Sequence, residues 1–161
     1  MNFREIKKED DPALAEIIRY NLKKHGLDIP GTAYFDESLS SLSEYYSSDR
    51  ENRFYYTATD ESGNVSGGVG LAKCDLFDEC AEMQKLYLSD KAKGAGTGYK
   101  LISLIEDKAR ELGYKRIYLE THDDLKAAIH VYRKCGYKEI KKPEGIVHGA
   151  MNRFFIKELY E

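Results

Sequence analysis

"KLYLSDKAKGAGTGYKLI", Lys85 to Ile102, is the stretch on which the fold turns. It opens on alternation, passes through glycines at 94, 96 and 98, and closes on a helical period. Around its first part, "CAEMQKLYLS" alternates as a strand. Glu82, Gln84, Leu86 and Leu88 fall on one face and Met83, Lys85 and Tyr87 on the other. From Thr97 to Leu112 the period is helical, with Leu101, Ile105, Ala109 and Leu112 in line and Ile102 and Leu104 widening the stripe. Gly113 is its C-terminal stop. "KRIYLET", Lys115 to Thr121, is a second strand. Strand, helix and strand at this spacing predict that Met83–Leu88 and Lys115–Glu120 are parallel neighbours joined by a right-handed crossover.

On the N-terminal side, "NFREIKK" is a first strand and Asp11-Pro12 starts a helix. Leu14, Ile17, Ile18 and Leu22 give that helix its apolar stripe. A loop carrying Tyr34 and Phe35 leads to a short helix with Leu39, Leu42 and Tyr46 on one face. "RFYYTATD" and "VSGGVGLAKCD" are two strands joined at Ser62-Gly63-Asn64. On the C-terminal side, "DDLKAAIHVYRKC" is a helix with Leu125, Ala128, Ile129 and Tyr132 on one stripe. "YKEIKK" and "NRFFIKEL" close the chain as strands. No repeat or linker divides residues 1–161, so one domain of the α/β class with a mixed sheet is expected.

The composition narrows the partners. The 161 residues carry a net charge of -3, which argues against a nucleic-acid-binding domain. No apolar run nears the ~20 residues of a membrane span, so no membrane partner is expected. The polar start lacks the apolar core of a signal peptide, and a cytoplasmic location is the expectation. Cys74, Cys80 and Cys135 are odd in number and form no CxxC pair, so neither a disulfide framework nor a metal site is suggested.

Three glycines at a helix start suit an anion, and the spacing decides which. A triphosphate loop needs Lys straight after its second Gly, but Tyr99 separates Gly98 from Lys100 and Leu101 replaces the metal-binding hydroxyl. A dinucleotide motif needs Gly at 99 or 101, where Tyr and Leu stand, and a glycine almost straight after the strand. Only Glu120, ending the next strand like a ribose-binding acid, favours that motif. A plain flexible turn is the bland alternative. Lys93-Gly94-Ala95-Gly96-Thr97-Gly98 instead resembles the R/Q-x-x-G-x-G/A signature of the GNAT superfamily of N-acetyltransferases, with Lys93 where Arg or Gln is usual. "YLETHDDLKAAIHVYRKCGYKEI" resembles the second half of the same family, including its A-I-x-x-Y-x-K-x-G-[FY] run. Leu125 stands where many members carry Asn, as in a subset of the family.

This resemblance implies a central, mostly antiparallel sheet with one parallel, splayed strand pair, flanked by helices. It implies acetyl-CoA as cosubstrate, no metal, and direct attack of a primary amine on the thioester. The cofactor would lie on Leu86, Tyr87 and Leu88 and on the loop Lys93, Gly94, Ala95, Gly96, Thr97, Gly98 and Tyr99. A helix N-terminus offers orphan N–H donors and partial positive charge to a diphosphate. The Leu86 N–H is the expected oxyanion donor. Glu82, sharing a face with Leu86, is the candidate base, and Tyr132 the candidate acid. Tyr34, Phe35 and His122 are expected at the acceptor pocket, and His148 is a weaker candidate. The acceptor itself stays open: a small amine, an amino acid or a peptide. Homodimers are common in the family. A non-catalytic acyl-CoA sensor would keep the glycine loop but need neither Glu82 nor Tyr132.

Overall fold

The computed structural model describes residues 1–146 and 149–160. The strand ahead of the glycine run is β4 (Cys80–Leu88) and the helix behind it is α3 (Thr97–Glu111). Before them come β1 (Asn2–Glu5), α1 (Asp11–Lys24), α2 (Leu42–Ser47), β2 (Phe54–Thr59) and β3 (Val65–Cys74). After them come β5 (Arg116–Thr121), α4 (Lys126–Lys134), β6 (Lys138–Ile140) and β7 (Arg153–Glu158). The seven strands form one sheet in the order β1-β2-β3-β4-β5-β7-β6. Among the described residues only β4 and β5 pair in parallel; the other neighbours are antiparallel.

That parallel pair is short. Cys80 faces Arg116, Ala81 faces Ile117 and Glu82 faces Tyr118, and there the pairing stops. Met83–Leu88 runs on against β3 alone, while Leu119, Glu120 and Thr121 pair with β7. The parallel contact therefore precedes Met83–Leu88, the run expected to carry it, and the two strands part beyond it. The sheet opens into a gap at the C-terminal end of β4.

One expectation fails inside β4. Gly70 pairs with Gln84 and Gly68 with Tyr87, so Val69 opposes both Lys85 and Leu86. This is a β-bulge, and Lys85 takes φ +51° to make it. The extra residue reverses the alternation. Leu86 and Leu88 pack with Met83 against the α3 side instead of sharing a face with Glu82. Tyr87 turns to the α1/α2 side. The Tyr55 hydroxyl donates to the Lys85 carbonyl at 3.1 Å and braces the bulge.

The two faces have separate cores. On one, α3 and α4 bury Leu101, Ile105, Ile129 and Tyr132 over Val69, Ala81, Ile117 and Phe155. On the other, α1 and α2 bury Leu14, Ile18, Leu22, Leu42 and Tyr46 against Tyr55. Each fully buried aliphatic side chain contributes about 1.5–3 kcal/mol. The glycines of β3 let the tyrosines lie close. A Cβ on Gly70 would stand 2.5 Å from the Tyr46 hydroxyl oxygen. The helix expected from Asp123, α4, begins at Lys126. Leu125 caps it in a non-helical conformation, φ -92° and ψ 58°. Leu125 is therefore off the stripe of Ile129 and Tyr132, and packs toward the α1/α2 core.

Candidate active site

The glycine loop delivers the start of α3 beside the open end of β4. A Cβ on Gly98 would lie 3.8 Å from Leu88 Cδ1, so strand end and helix start are neighbours. Gly96 is the N-cap at φ +80°, a conformation that costs other L-residues about 1–2 kcal/mol. Lys100 N–H closes the first turn on Gly96 O at 3.1 Å. The N–H groups before it have no carbonyl within α3 to receive them. A Cβ at Gly94 or Gly96 would meet nothing within 4 Å, so the space over these donors is open. Ala95 and Tyr99 are exposed and Thr97 is buried. Free donors, dipole and open space together fit an anionic diphosphate.

Lys93 stands on the shoulder of this loop. Its Nζ donates to Asn21 Oδ1 at 2.7 Å and to Asp90 Oδ1 at 2.9 Å. Asp90 also accepts from the Tyr20 hydroxyl at 2.6 Å and lies 3.5 Å from Lys24 Nζ. The Tyr20 hydroxyl and the Lys93 ammonium hold its carboxyl down at about 2. Asn21 in turn donates to the Leu88 carbonyl at 2.9 Å, tying α1 to the end of β4.

Tyr132 comes from the α3/α4 side. It is 6% exposed, with ring centroids 6.1 Å from Tyr137 and 6.3 Å from Phe155. Among the described residues its hydroxyl has no hydrogen-bond partner. Burial pushes its pKa up, and nearby Tyr87 adds to this. Tyr87 is itself pushed up to about 12 by burial. A phenol in this state keeps its proton and is a donor.

Glu82 lies on the α1/α2 side, where the parallel pairing ends. It accepts from Gln84 Nε2 at 2.9 Å, and the Tyr46 hydroxyl donates to Gln84 Oε1 at 2.8 Å. Burial raises the Glu82 pKa and the Glu120 charge adds to it; Gln84 and Lys85 act the other way. Glu120 accepts from the Tyr118 hydroxyl at 2.8 Å, and Lys85 Nζ lies 3.5 Å from Asp36. Glu82 and Tyr132 thus approach from opposite faces of the sheet.

The acceptor-side candidates are spread more widely. Tyr34 and Phe35 form a helical turn with centroids 5.0 Å apart, Phe35 being 60% exposed. His122 follows β5, and its Nδ1 accepts from Asp124 N–H at 3.1 Å. His148 lies outside the described residues. Gln84, Tyr46, Glu120 and Asn21 were not singled out from the sequence as parts of this site. Gln84 had one signal, its position two residues from Glu82 on a strand.

Known proteins share this sequence pattern and this fold. The model of the Acetyltransferase (GNAT) family matches residues 20–137. The chain is 34% identical over 139 residues to "Uncharacterized N-acetyltransferase YjgM" of Escherichia coli, covering 85% of this chain and 81% of that one. A GNAT-family acetyltransferase of Staphylococcus aureus superposes with a TM-score of 0.83 at 22% identity over 98% of both chains. YncA of Salmonella typhimurium, a putative acetyltransferase solved with its cofactor acetyl-CoA, gives 0.76 at 21% over 100% and 95%. These two likenesses are of fold: one mixed sheet, one parallel pair and flanking helices. By its sequence match and its architecture, this chain belongs to the GNAT family of acetyltransferases and is an acyltransferase.

Proposed function

We propose that the chain transfers the acetyl group of acetyl-CoA to a primary amine by direct attack on the thioester. The observation that carries this is the open end of β4 beside the N-terminus of α3, which has no side-chain cap among the described residues. The acetyl-CoA bound in the similar Salmonella structure supports it.

Acetyl-CoA would supply the acetyl group in activated form. The N–H groups from Gly94 to Tyr99 would hold its diphosphate, with Lys93 adding positive charge. Leu86, Tyr87 and Leu88, free of β5, offer backbone to its amide-bearing arm. An amine with a pKa of about 10.4 costs on the order of 4–5 kcal/mol to deprotonate at pH 7. Glu82 takes that proton. The Leu86 N–H is the donor assigned to the developing oxyanion. Tyr132 gives its proton to the departing sulfur. Tyr34, Phe35 and His122 border the acceptor, a small amine, amino acid or peptide. A cytoplasmic homodimer is the setting proposed for this activity.

The test is thiol release from acetyl-CoA across a panel of amines. Wild type releases thiol with at least one of them. In Gly96→Glu, a carboxylate enters the space over the helix start and φ +80° becomes strained, so acetyl-CoA binding is lost. Retained micromolar binding by a folded Gly96→Glu protein would overturn the cofactor assignment.

A further inference from the structure

Among the described residues, Gln84 is the side chain that donates a hydrogen bond to Glu82, 2.9 Å from Nε2 to Oε1. A glutamine amide has two unlike ends. Its NH2 favours a carboxylate, whereas its carbonyl would repel one. The other end of the Gln84 amide is held by Tyr46. The Tyr46 hydroxyl donates to Gln84 Oε1 at 2.8 Å, so the carbonyl end is occupied and the NH2 end is left for Glu82.

Tyr46 is well placed to impose this. It is 2% exposed, and its ring lies 4.8 Å from Tyr45 and 5.1 Å from Tyr55. Its hydroxyl occupies room left by Gly70. Burial keeps the phenol protonated, so it remains a donor. Around Glu82 stand Lys85 on its own strand, Glu120 and Tyr118 on β5, Cys74 on β3 and Tyr46 on α2. The Tyr118 hydroxyl is turned to Glu120, and the Lys85 ammonium is shared with Asp36.

We propose that Gln84, oriented by Tyr46, is a positioning residue that aims an N–H at Glu82 and holds its carboxylate in the proton-accepting form. The inference rests on Glu82 being the general base. It is tested without an acceptor by carboxyl 13C NMR titration of glutamate-labelled protein, with the Glu82 signal assigned by its loss in Glu82→Gln. In Gln84→Leu the Glu82 midpoint should rise by about one pH unit, since a hydrogen bond to a charged group is lost. In Tyr46→Phe it should rise in the same direction by less, because the amide becomes free to turn. With an amine that wild type accepts, the acid limb of kcat/KM should follow the NMR midpoint while KM for acetyl-CoA stays within twofold. A purely structural role would move Tm and leave the midpoint in place. An unchanged midpoint in folded Tyr46→Phe and Gln84→Leu proteins overturns the inference; if Gln84→Leu does not fold, Tyr46→Phe decides alone. Full turnover by Glu82→Gln, with the midpoint shifting as expected, would instead overturn the base role on which the inference rests.

Discussion

Glu82 loses water to the sheet packing and faces a second carboxylate, Glu120, and both effects favour its protonated form. A carboxyl whose folded pKa exceeds its unfolded one binds its proton more tightly in the fold. Its stabilising contribution is full below the unfolded value and is lost as pH rises through the folded value. Glu82→Gln should therefore melt a few degrees above wild type at pH 7.5, with the gap closing toward pH 4. Circular dichroism melts across that range check this; a gap independent of pH would contradict the raised pKa. Tyr132 has a different balance. Its hydroxyl has no partner among the described residues, so Tyr132→Phe removes no bond and should leave Tm nearly unchanged. A lost general acid lowers turnover by about 10²-fold or more. Turnover should fall that far while the Kd for acetyl-CoA stays within twofold. Equal losses in both would mean that the ring packs the cofactor site and the hydroxyl does no chemistry.

At the scale of elements, β3 and β4 are built around the bulge and the tyrosines that support it. Gly70→Ala would place a methyl 2.5 Å from the Tyr46 hydroxyl, and the ring or the strand must shift. Overpacking of this kind costs about 1–3 kcal/mol, to be read as a drop in urea unfolding free energy. A stability within error of wild type would show that Tyr46 moves freely. The same region marks the limit of what the sequence discloses. The apolar stripes of α1 and α3 were legible because side-chain spacing alone sets them. The family was legible in the glycine loop and the Tyr132 helix because their residue types follow its signatures, and the family model spans both. The faces of β4 were misjudged because alternation holds only while every residue is extended. Lys85 breaks it at φ +51°, where no glycine or asparagine gives notice. The trace that remained was on the partner strand, in the glycines of "VSGGVG". From the sequence Glu120 is an acid at a strand end, placed like a ribose-binding one. Only the pairing of Glu82 with Tyr118 shows that it sits by Glu82.

At the scale of the molecule, the sheet is two antiparallel blocks held by a short parallel seam. β1 to β4 form one block and β5, β7 and β6 the other, with the seam running from Cys80–Arg116 to Glu82–Tyr118. The blocks are also tied through α3. Buried Glu106 accepts from Lys157 Nζ at 3.0 and 3.1 Å and from the Tyr137 hydroxyl at 2.9 Å, fixing α3 to β7 and to the chain after α4. Beyond the seam the gap is bounded by the free length of β4 and by the α3 start. A cofactor seated there would touch both blocks and favour their joined state over any opening. At a concentration of 100 Kd, acetyl-CoA should stabilise the fold by about 2.7 kcal/mol, which for a chain of this size is roughly 5–10 °C in Tm. Amide exchange should slow most in Met83–Leu88 and in the loop from Lys93 to Tyr99, with little change in β1 and β2. Gly96→Glu should show neither effect. Protection spread evenly over the sheet, or confined to α1 and α2, would place the ligand elsewhere and remove the gap from the cofactor site.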